Sequence, residues 1–280
     1  MYLTRVRIAI IGILNAKPGN WAFEKLAQNL SKVLNIPIRE IPLDKNYVLY
    51  YPETEIKSIK YKSFISIDAI ILASDKRKQA ELFNKYNIPI PKTVLLNSKR
   101  EVETLLLQEN QCQWCLKYPT SCGASGHRIL GTIDDIPDRF PKPYIVQEFI
   151  EMRNPEVYRL YCVAGDIFGW NVRKFARDRG KGQKSPWVAH ARGACYAFPT
   201  PSIAPPLELA RTVLARAQLI DSFGCIDLIK RENGEWLVLE IGTDGIFNHV
   251  DRNLGLPQLE KQIEKKIVNA FKLYAKSSSK

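Results

Sequence analysis

The chain has 280 residues, 45% hydrophobic and 25% charged, with a net charge of +12 at pH 7. That length carries one large domain or two to three lobes with a real core, and no apolar run reaches the ~18 residues of a membrane span. The basic surplus suits nucleic acid, a phosphate-bearing cofactor or an acidic substrate, but no aromatic RNA-binding motif or zinc-finger spacing accompanies it, so nucleic acid is the weakest of the three.

Residues 6–14 read as a buried strand. The run 8–14 behind Arg5 and Arg7 is shorter than a secretory signal and lacks a small-x-small cleavage site, so a cytoplasmic protein is expected. After a Pro18-Gly19 loop, the spacing of Trp21, Leu26, Leu30 and Leu34 predicts an amphipathic helix over 21–34. A short strand at 36–41, a polar Tyr-rich loop or ribbon at 44–62 and an apolar strand at 67–72 follow. This β-α-β opening argues for a small parallel-sheet lobe. No GxGxxG follows the first strand, so a dinucleotide fold is not supported.

Ser74-Asp75-Lys76-Arg77-Lys78 opens a helix that runs to about Tyr86. Three cations in a first turn oppose the helix dipole, which makes sense around an anion; a merely solvated basic turn is the alternative. A strand at 93–96 and a helix at 99–108 come next. The strand at 114–118 delivers Lys117 to its end, before Thr120-Ser-Cys-Gly123-Ala-Ser-Gly126-His. Small residues let backbone N–H groups approach phosphate, although a plain hairpin loop has the same composition. No Gly-Lys-Ser/Thr closes it, so it is not a Walker loop.

A strand at 144–150 ends in polar residues, and 156–164 with 167–172 form a hairpin about Gly165-Asp166 that Arg173-Lys174 leave. The basic loop 177–184 is a cover, a substrate clamp or a solvated stretch. Arg192-Gly193, a Pro-rich bend at 199–206, a helix at 207–219 and a closing helix at 258–274 complete the chain. Cys112-Gln-Trp-Cys115 is a lone CxxC without a second pair or nearby His, which reads as reduced cysteines on a buried strand, a zinc or redox site being the alternative; the six cysteines are scattered, mostly in apolar segments. His127, His190 and His249 are too scattered to read as ligands.

Between them lies Asn233-Gly234, the strongest short signal for a two-residue hairpin turn. Counting outward from that turn sets Asp227 opposite Glu240. It puts Ile226, Leu228, Leu237, Leu239 and Ile241 on a core face, with Asp227, Ile229, Val238 and Glu240 on the other. Facing carboxylates repel at roughly 4.5–5.5 Å between Cβ atoms, and a hard divalent cation would turn that cost into a site. An exposed acidic pair, or one turned to Arg231, is the alternative.

Taken in order, these motifs resemble the ATP-grasp superfamily over about residues 67–275, with RimK-like amino-acid ligases nearest and D-alanine–D-alanine ligases more distant. SDKRKQAELFNKYNIPIPKT is similar to that family's Asp-Lys helix, and CLKYPTSCGASGHRI to its lysine strand and phosphate loop. IVQEFIE resembles its adenine-binding segment, VYRLYCVAGDIFGWNVRK its hairpin with a basic end, and GCIDL with LVLEIG its metal strands.

The resemblance implies an α/β (α+β) ATP-grasp fold: two α+β lobes, 75–145 and 146–280, gripping the nucleotide behind a small parallel-sheet lobe, 1–74. Lys76 and Lys117 would hold phosphates under a loop of Gly123, Ser125 and Gly126. Gln147 would face the adenine amino group, Glu148 and Ile150 would supply backbone bonds to the base, and Glu156 would bind the ribose. Arg173 and Arg192 would lie near the transferred phosphate, and Asp227 and Glu240 would hold Mg²⁺. Where the family has Glu-x-Asn, this chain has Glu240-Ile241-Gly242. Asp244, Asn248 or a water would then supply the third ligand. The implied activity is an ATP- and Mg²⁺-dependent ligase joining a carboxylate-bearing small molecule or peptide to an amine through an acyl phosphate, with room for a homo-oligomer. A nucleotide-binding protein with lost or altered ligase chemistry, motivated by Gly242, is the alternative.

Overall fold

Three sheets organise the computed structural model, which describes residues 10–17, 23–50, 62–175, 185–243, 248–255 and 258–277. The first is parallel, in the order β2-β1-β3-β4, built from β1 (Ile11–Asn15), β2 (Ile38–Arg39), β3 (Lys45–Tyr50) and β4 (Lys62–Ser63). Helix α1 (Glu24–Leu34) connects β1 to β2 and buries Ala27 and Leu30. β3 falls in the stretch expected to be loop or ribbon. Its polar residues hid it: Lys45 and Asn46 are buried, with Lys45 Nζ donating to the Ala275 carbonyl at 2.8 Å and Asn46 bonded to the Leu43 backbone.

The expected strand at 67–72 is instead helix α2 (Ile67–Ser74). A short apolar run does not separate helix from strand by period. The deciding feature is Ser66, whose side chain accepts from the Ala69 amide and starts the helix.

The second sheet is antiparallel, in the order β5-β8-β6-β7: β5 (Thr93–Leu96), β6 (Trp114–Lys117), β7 (Arg128–Leu130) and β8 (Tyr144–Glu148). Helix α3 (Lys76–Lys85) precedes it. Helix α4 (Lys99–Gln108) covers it from a Ser98 cap, over a core that includes Val102, Trp114, Leu116 and Val146.

The third sheet runs β11-β10-β9-β12-β13, all antiparallel: β9 (Glu156–Val163), β10 (Asp166–Lys174), β11 (Cys195–Ala197), β12 (Phe223–Lys230) and β13 (Trp236–Gly242). Asp166 pairs with Val163, so the β9–β10 turn is Ala164-Gly165, one residue before the expected place, with both residues at positive φ. Helices α5 (Leu207–Arg216), α6 (Asn248–Leu254) and α7 (Gln258–Ser277) complete the chain. The back of this sheet and the first sheet share one core. In it the rings of Tyr47, Phe64 and Phe271 meet at 5.2–5.8 Å. Among the described residues no helix is long and apolar enough to cross a membrane.

The β12–β13 hairpin pairs Asp227 with Glu240 by a route the sequence does not show. The loop spans 232–234: Arg231 N donates to the Glu235 carbonyl and Gly234 N to the Arg231 carbonyl. Lys230 therefore faces Trp236 and Leu228 faces Val238, one residue off the expected register. A bulge at Leu239 then restores it, and Asp227 meets Glu240. The two shifts cancel for the carboxylates but not for the apolar residues. Val238 joins Ile226 and Leu228 in the core, while Leu237 packs with Ile229 and Leu239 on the front face.

Candidate active site

The second and third sheets face each other across a cavity of about 470 Å³. One wall carries Cys115, Lys117 and Gln147 and runs into the crossover segment 148–152. The other carries Val157, Arg173, Asp227, Ile229, Leu239 and Glu240. Gly123, Ala124 and His127 close one end, and Pro186 to Ala189 cover the mouth.

Lys117 ends β6 in a buried position, where its Nζ donates to Gln147 Oε1 at 3.2 Å. Gln147 Nε2 donates to Thr93 Oγ1 at 2.8 Å, and Thr93 Oγ1 donates to the Pro91 carbonyl at 2.6 Å. This chain fixes which end of the Gln147 amide faces the lysine. Burial pulls the Lys117 pKa below the ordinary lysine value, partly offset by Glu240 and reinforced by Lys76. Burial, then Lys117 and Lys76, press His127 down to about 3. Its ring is therefore neutral, and it lies edge-on to Trp187 at 5.6 Å. Trp187 also meets Phe149 edge-on at 5.4 Å, bridging the loop to the crossover.

Lys76 is the first residue of α3, where Asp75 caps the helix and binds Arg77. The cationic first turn is thus partly neutralised by its own cap. Lys76 is off the cavity lining, but its Nζ donates to the Ser121 carbonyl at 2.6 Å and lies 3.5 Å from Glu240. One turn on, buried Gln79 accepts from Ile241 N at 3.0 Å and donates to its carbonyl at 3.2 Å. In the loop, Gly123, Ala124 and Gly126 have positive φ. A Cβ on Gly126 would meet Tyr118 at 2.9 Å. Gly126 and Ser125 shape the loop from outside the cavity; Ser125 N bonds to the Cys122 carbonyl and its own carbonyl accepts from Ser121 Oγ.

The third sheet lays a charged row across its strands. Register places Asn171, Arg159, Asp227 and Glu240 side by side on β10, β9, β12 and β13. Arg159 grips Asp227 with both arms, Nε to Oδ1 at 2.6 Å and Nη2 to Oδ2 at 2.9 Å, and Arg173 Nη2 also donates to Oδ2. Burial alone would raise the Asp227 pKa; Arg159 and Arg173 outweigh it and hold it near about 2. Among the described residues, Arg173 Nε is buried without a partner.

No group of three or more His, Cys, Asp or Glu among the described residues converges as a metal shell. Gly242 ends β13, Asp244 lies outside the described residues, and Asn248 opens α6. Asp227 and Glu240 share a face beside Lys76 and Arg173. That donor set fits one hard cation whose remaining ligands come from phosphate and water.

Glu156 and Arg192 lie off the cavity lining, as Lys76, Ser125 and Gly126 do. Glu156 turns away from the cavity to the Tyr158 hydroxyl and to Lys174 Nζ at 3.6 Å, because it shares the back face of β9 with Tyr158; Glu151, five residues earlier, does line the cavity. Arg192 does not line the cavity, and its Nη2 donates to the Ala124 carbonyl at 3.3 Å. Glu148 is bound to Arg231 at 2.6 Å, and its amide donates to the Lys92 carbonyl, so of its backbone only the carbonyl is left for a ligand. Ile150 lines the cavity. Residues 177–184 lie outside the described residues. All six cysteines are free thiols, and burial pushes Cys115 in the cavity wall up to about 12, far from a reactive thiolate.

No protein-family model and no curated protein matches this sequence. Solved structures do. D-cycloserine synthetase DcsG shares 13% identity over 95% of this chain and 99% of its own, with a TM-score of 0.64. The ATP-grasp ligase PsnB with its minimal precursor shares 11% over 95% of this chain and 100% of its own, TM-score 0.63. Carboxyaminoimidazole ribonucleotide synthase of Aspergillus clavatus, complexed with ATP, shares 14% over 90% of this chain and 78% of its own, TM-score 0.60. At these identities the likeness is one of fold: the chain has the ATP-grasp fold.

Proposed function

We propose that the chain is an ATP- and Mg²⁺-dependent carboxylate–amine ligase that forms an amide or peptide bond through an acyl phosphate. The observation that carries this reading is a single cavity that gathers Lys117, Arg173, Asp227 and Glu240 from two sheets beside an apolar slot. The slot, lined by Ile150, Met152, Trp187 and Leu239, suits a nucleobase, with Gln147 and the Glu148 carbonyl at its edge. Glu151 takes the ribose contact that the resemblance assigns to Glu156. Lys117 and Lys76 neutralise phosphates beneath the Gly123-Ala124 turn, whose shape Ser125 and Gly126 set. Lobes at 1–74, 75–145 and 146–280, each centred on one of the three sheets, and a cytoplasmic setting for six free thiols complete the reading.

In the first step a substrate carboxylate oxygen bonds to the γ-phosphorus of ATP as the bond to the β-phosphate oxygen breaks, releasing ADP. In the second the amine nitrogen attacks the acyl carbon, loses a proton, and inorganic phosphate leaves with the C–O electrons. The protein's part is positioning and charge neutralisation. Arg173, which lines the cavity beside Asp227, would donate to the transferred phosphate, and Arg192 steadies the loop through Ala124. Asp227 and Glu240 would hold Mg²⁺, with Asp244, Asn248 or water beyond Gly242. When bound, the ion supplies charge neutralisation between phosphate oxygens.

The test is mass spectrometry of products after incubation with Mg-ATP and pooled amino acids, peptides and cell metabolites. ADP and phosphate formed in step with a new amide support the reading. ADP without any adduct favours the nucleotide-binding alternative that Gly242 motivates. Absence of nucleotide binding removes both.

A further inference from the structure

The ligase reading leaves open how many metal ions accompany the nucleotide, and the charged row bears on this count. Register places Arg159 beside Asp227 on the neighbouring strand, with a side chain only 16% exposed. A carboxylate offers about four lone-pair positions. Arg159 takes one on each oxygen and Arg173 takes another on Oδ2, so Asp227 keeps one. Glu240 is shared with Lys76 at 3.5 Å, and Gly242 offers no side chain.

The charges point the same way. Among the described groups around the acidic pair, Lys76, Lys117, Arg159 and Arg173 outnumber Asp227 and Glu240 by two positive charges. A triphosphate carries about four negative charges at neutral pH, close to two of them on its terminal phosphate. One divalent ion closes that difference, and a second overshoots it.

Resting on the ligase reading, we propose that Arg159 is a positioning residue acting as a built-in cation at Asp227, so that the site takes one divalent ion with each nucleotide. Arg159 aims the one open lone pair of Asp227 and supplies the charge that a second ion would otherwise bring. Arg173, on the cavity lining, stays beside the phosphate end of the site.

The experiment counts ions. The full chain is mixed with Mn²⁺ and a non-hydrolysable ATP analogue, and bound Mn²⁺ is read by electron paramagnetic resonance and equilibrium dialysis. The expected result is one Mn²⁺ per bound nucleotide. Without nucleotide, Arg159→Gln opens two lone pairs on Asp227 and binds Mn²⁺ about tenfold more tightly than the wild type, whereas Arg159→Lys, which keeps the charge, does not. A role confined to packing would leave Mn²⁺ affinity unmoved. Two ions per nucleotide in the wild type, or no tightening in a folded Arg159→Gln protein, overturns this proposal alone. Failure of the analogue to bind at any Mn²⁺ concentration overturns the ligase reading with it. Should Arg159→Gln not fold, the wild-type count decides.

Discussion

The two walls of the cavity solve the problem of buried polarity in opposite ways. The β5–β8–β6 wall strings neutral groups together from Pro91 through Thr93 and Gln147 and ends on one lysine whose charge is poorly compensated. The β10–β9–β12–β13 wall sets full charges side by side and cancels each against its neighbour. The first wall has binding energy to give to an incoming anion. The second balances most of its charge internally, so its carboxylates are structural elements of the sheet.

The sharpest break in this comparison comes from neutralising the compensated wall. Asp227→Asn leaves Arg159 and Arg173 without their buried counter-charge, and stability should fall by about 3 kcal/mol or more in urea unfolding. Glu240→Gln, on a side chain 36% exposed, should cost under about 1 kcal/mol yet still lose turnover. The sign with pH follows from the depressed Asp227 pKa. Its contribution is whole above the unfolded value of about 4 and is lost as pH falls through about 2. Urea midpoints between pH 5 and pH 2 should show that loss in the wild type and not in Asp227→Asn.

On the other wall, Lys117→Met should do the reverse. Nucleotide affinity by calorimetry should drop about 10- to 100-fold, the worth of a charged hydrogen bond. The melting temperature should hold or rise, because a buried cation at a cost has been removed. An unstable Lys117→Met protein would mean that the lysine is compensated after all. Thr93→Val, which unpins Gln147, should weaken nucleotide binding about 3- to 10-fold, with Thr93→Ser close to wild type. The smallest effects separate the turns that serve each wall. Gly234→Ala, with open space around the added Cβ, should cost about 1 kcal/mol for its positive φ alone. Gly126→Ala, pressed on Tyr118, should cost more and also weaken nucleotide binding.

The parts of this arrangement that were legible in the sequence are those with strong local signatures. The stretch 99–108 reads as α4, and the apolar run ending in Lys117 marks β6. Asp227 and Glu240 were paired correctly only because the extra loop residue and the bulge at Leu239 offset each other, and neither has a signal in composition. Arg159 and Thr93 were missed as site residues, since their roles depend on cross-strand register and on a hydrogen-bond chain between segments far apart in sequence. Glu156 turns from the cavity for a similar reason: alternation along β9 puts it on one face with Tyr158, and that phase is set by the sheet. β3 was invisible because a buried lysine and asparagine read as loop until their partners, Ala275 and Leu43, are known.

Helix α3 is tethered on both sides of the cleft: Lys76 N bonds to the Pro119 carbonyl, while Gln79 clasps Ile241. Nearby, Val238 N reaches the Pro89 carbonyl. A jaw fastened at that end has its fulcrum there and its lighter contacts at the opposite rim, where Trp187 meets Phe149 and His127 edge-on and Arg192 Nη2 reaches the Ala124 carbonyl. Amide exchange should therefore be slowest at Val238 and Ile241 and fastest around Trp187; uniform protection would show a cleft without a pivot.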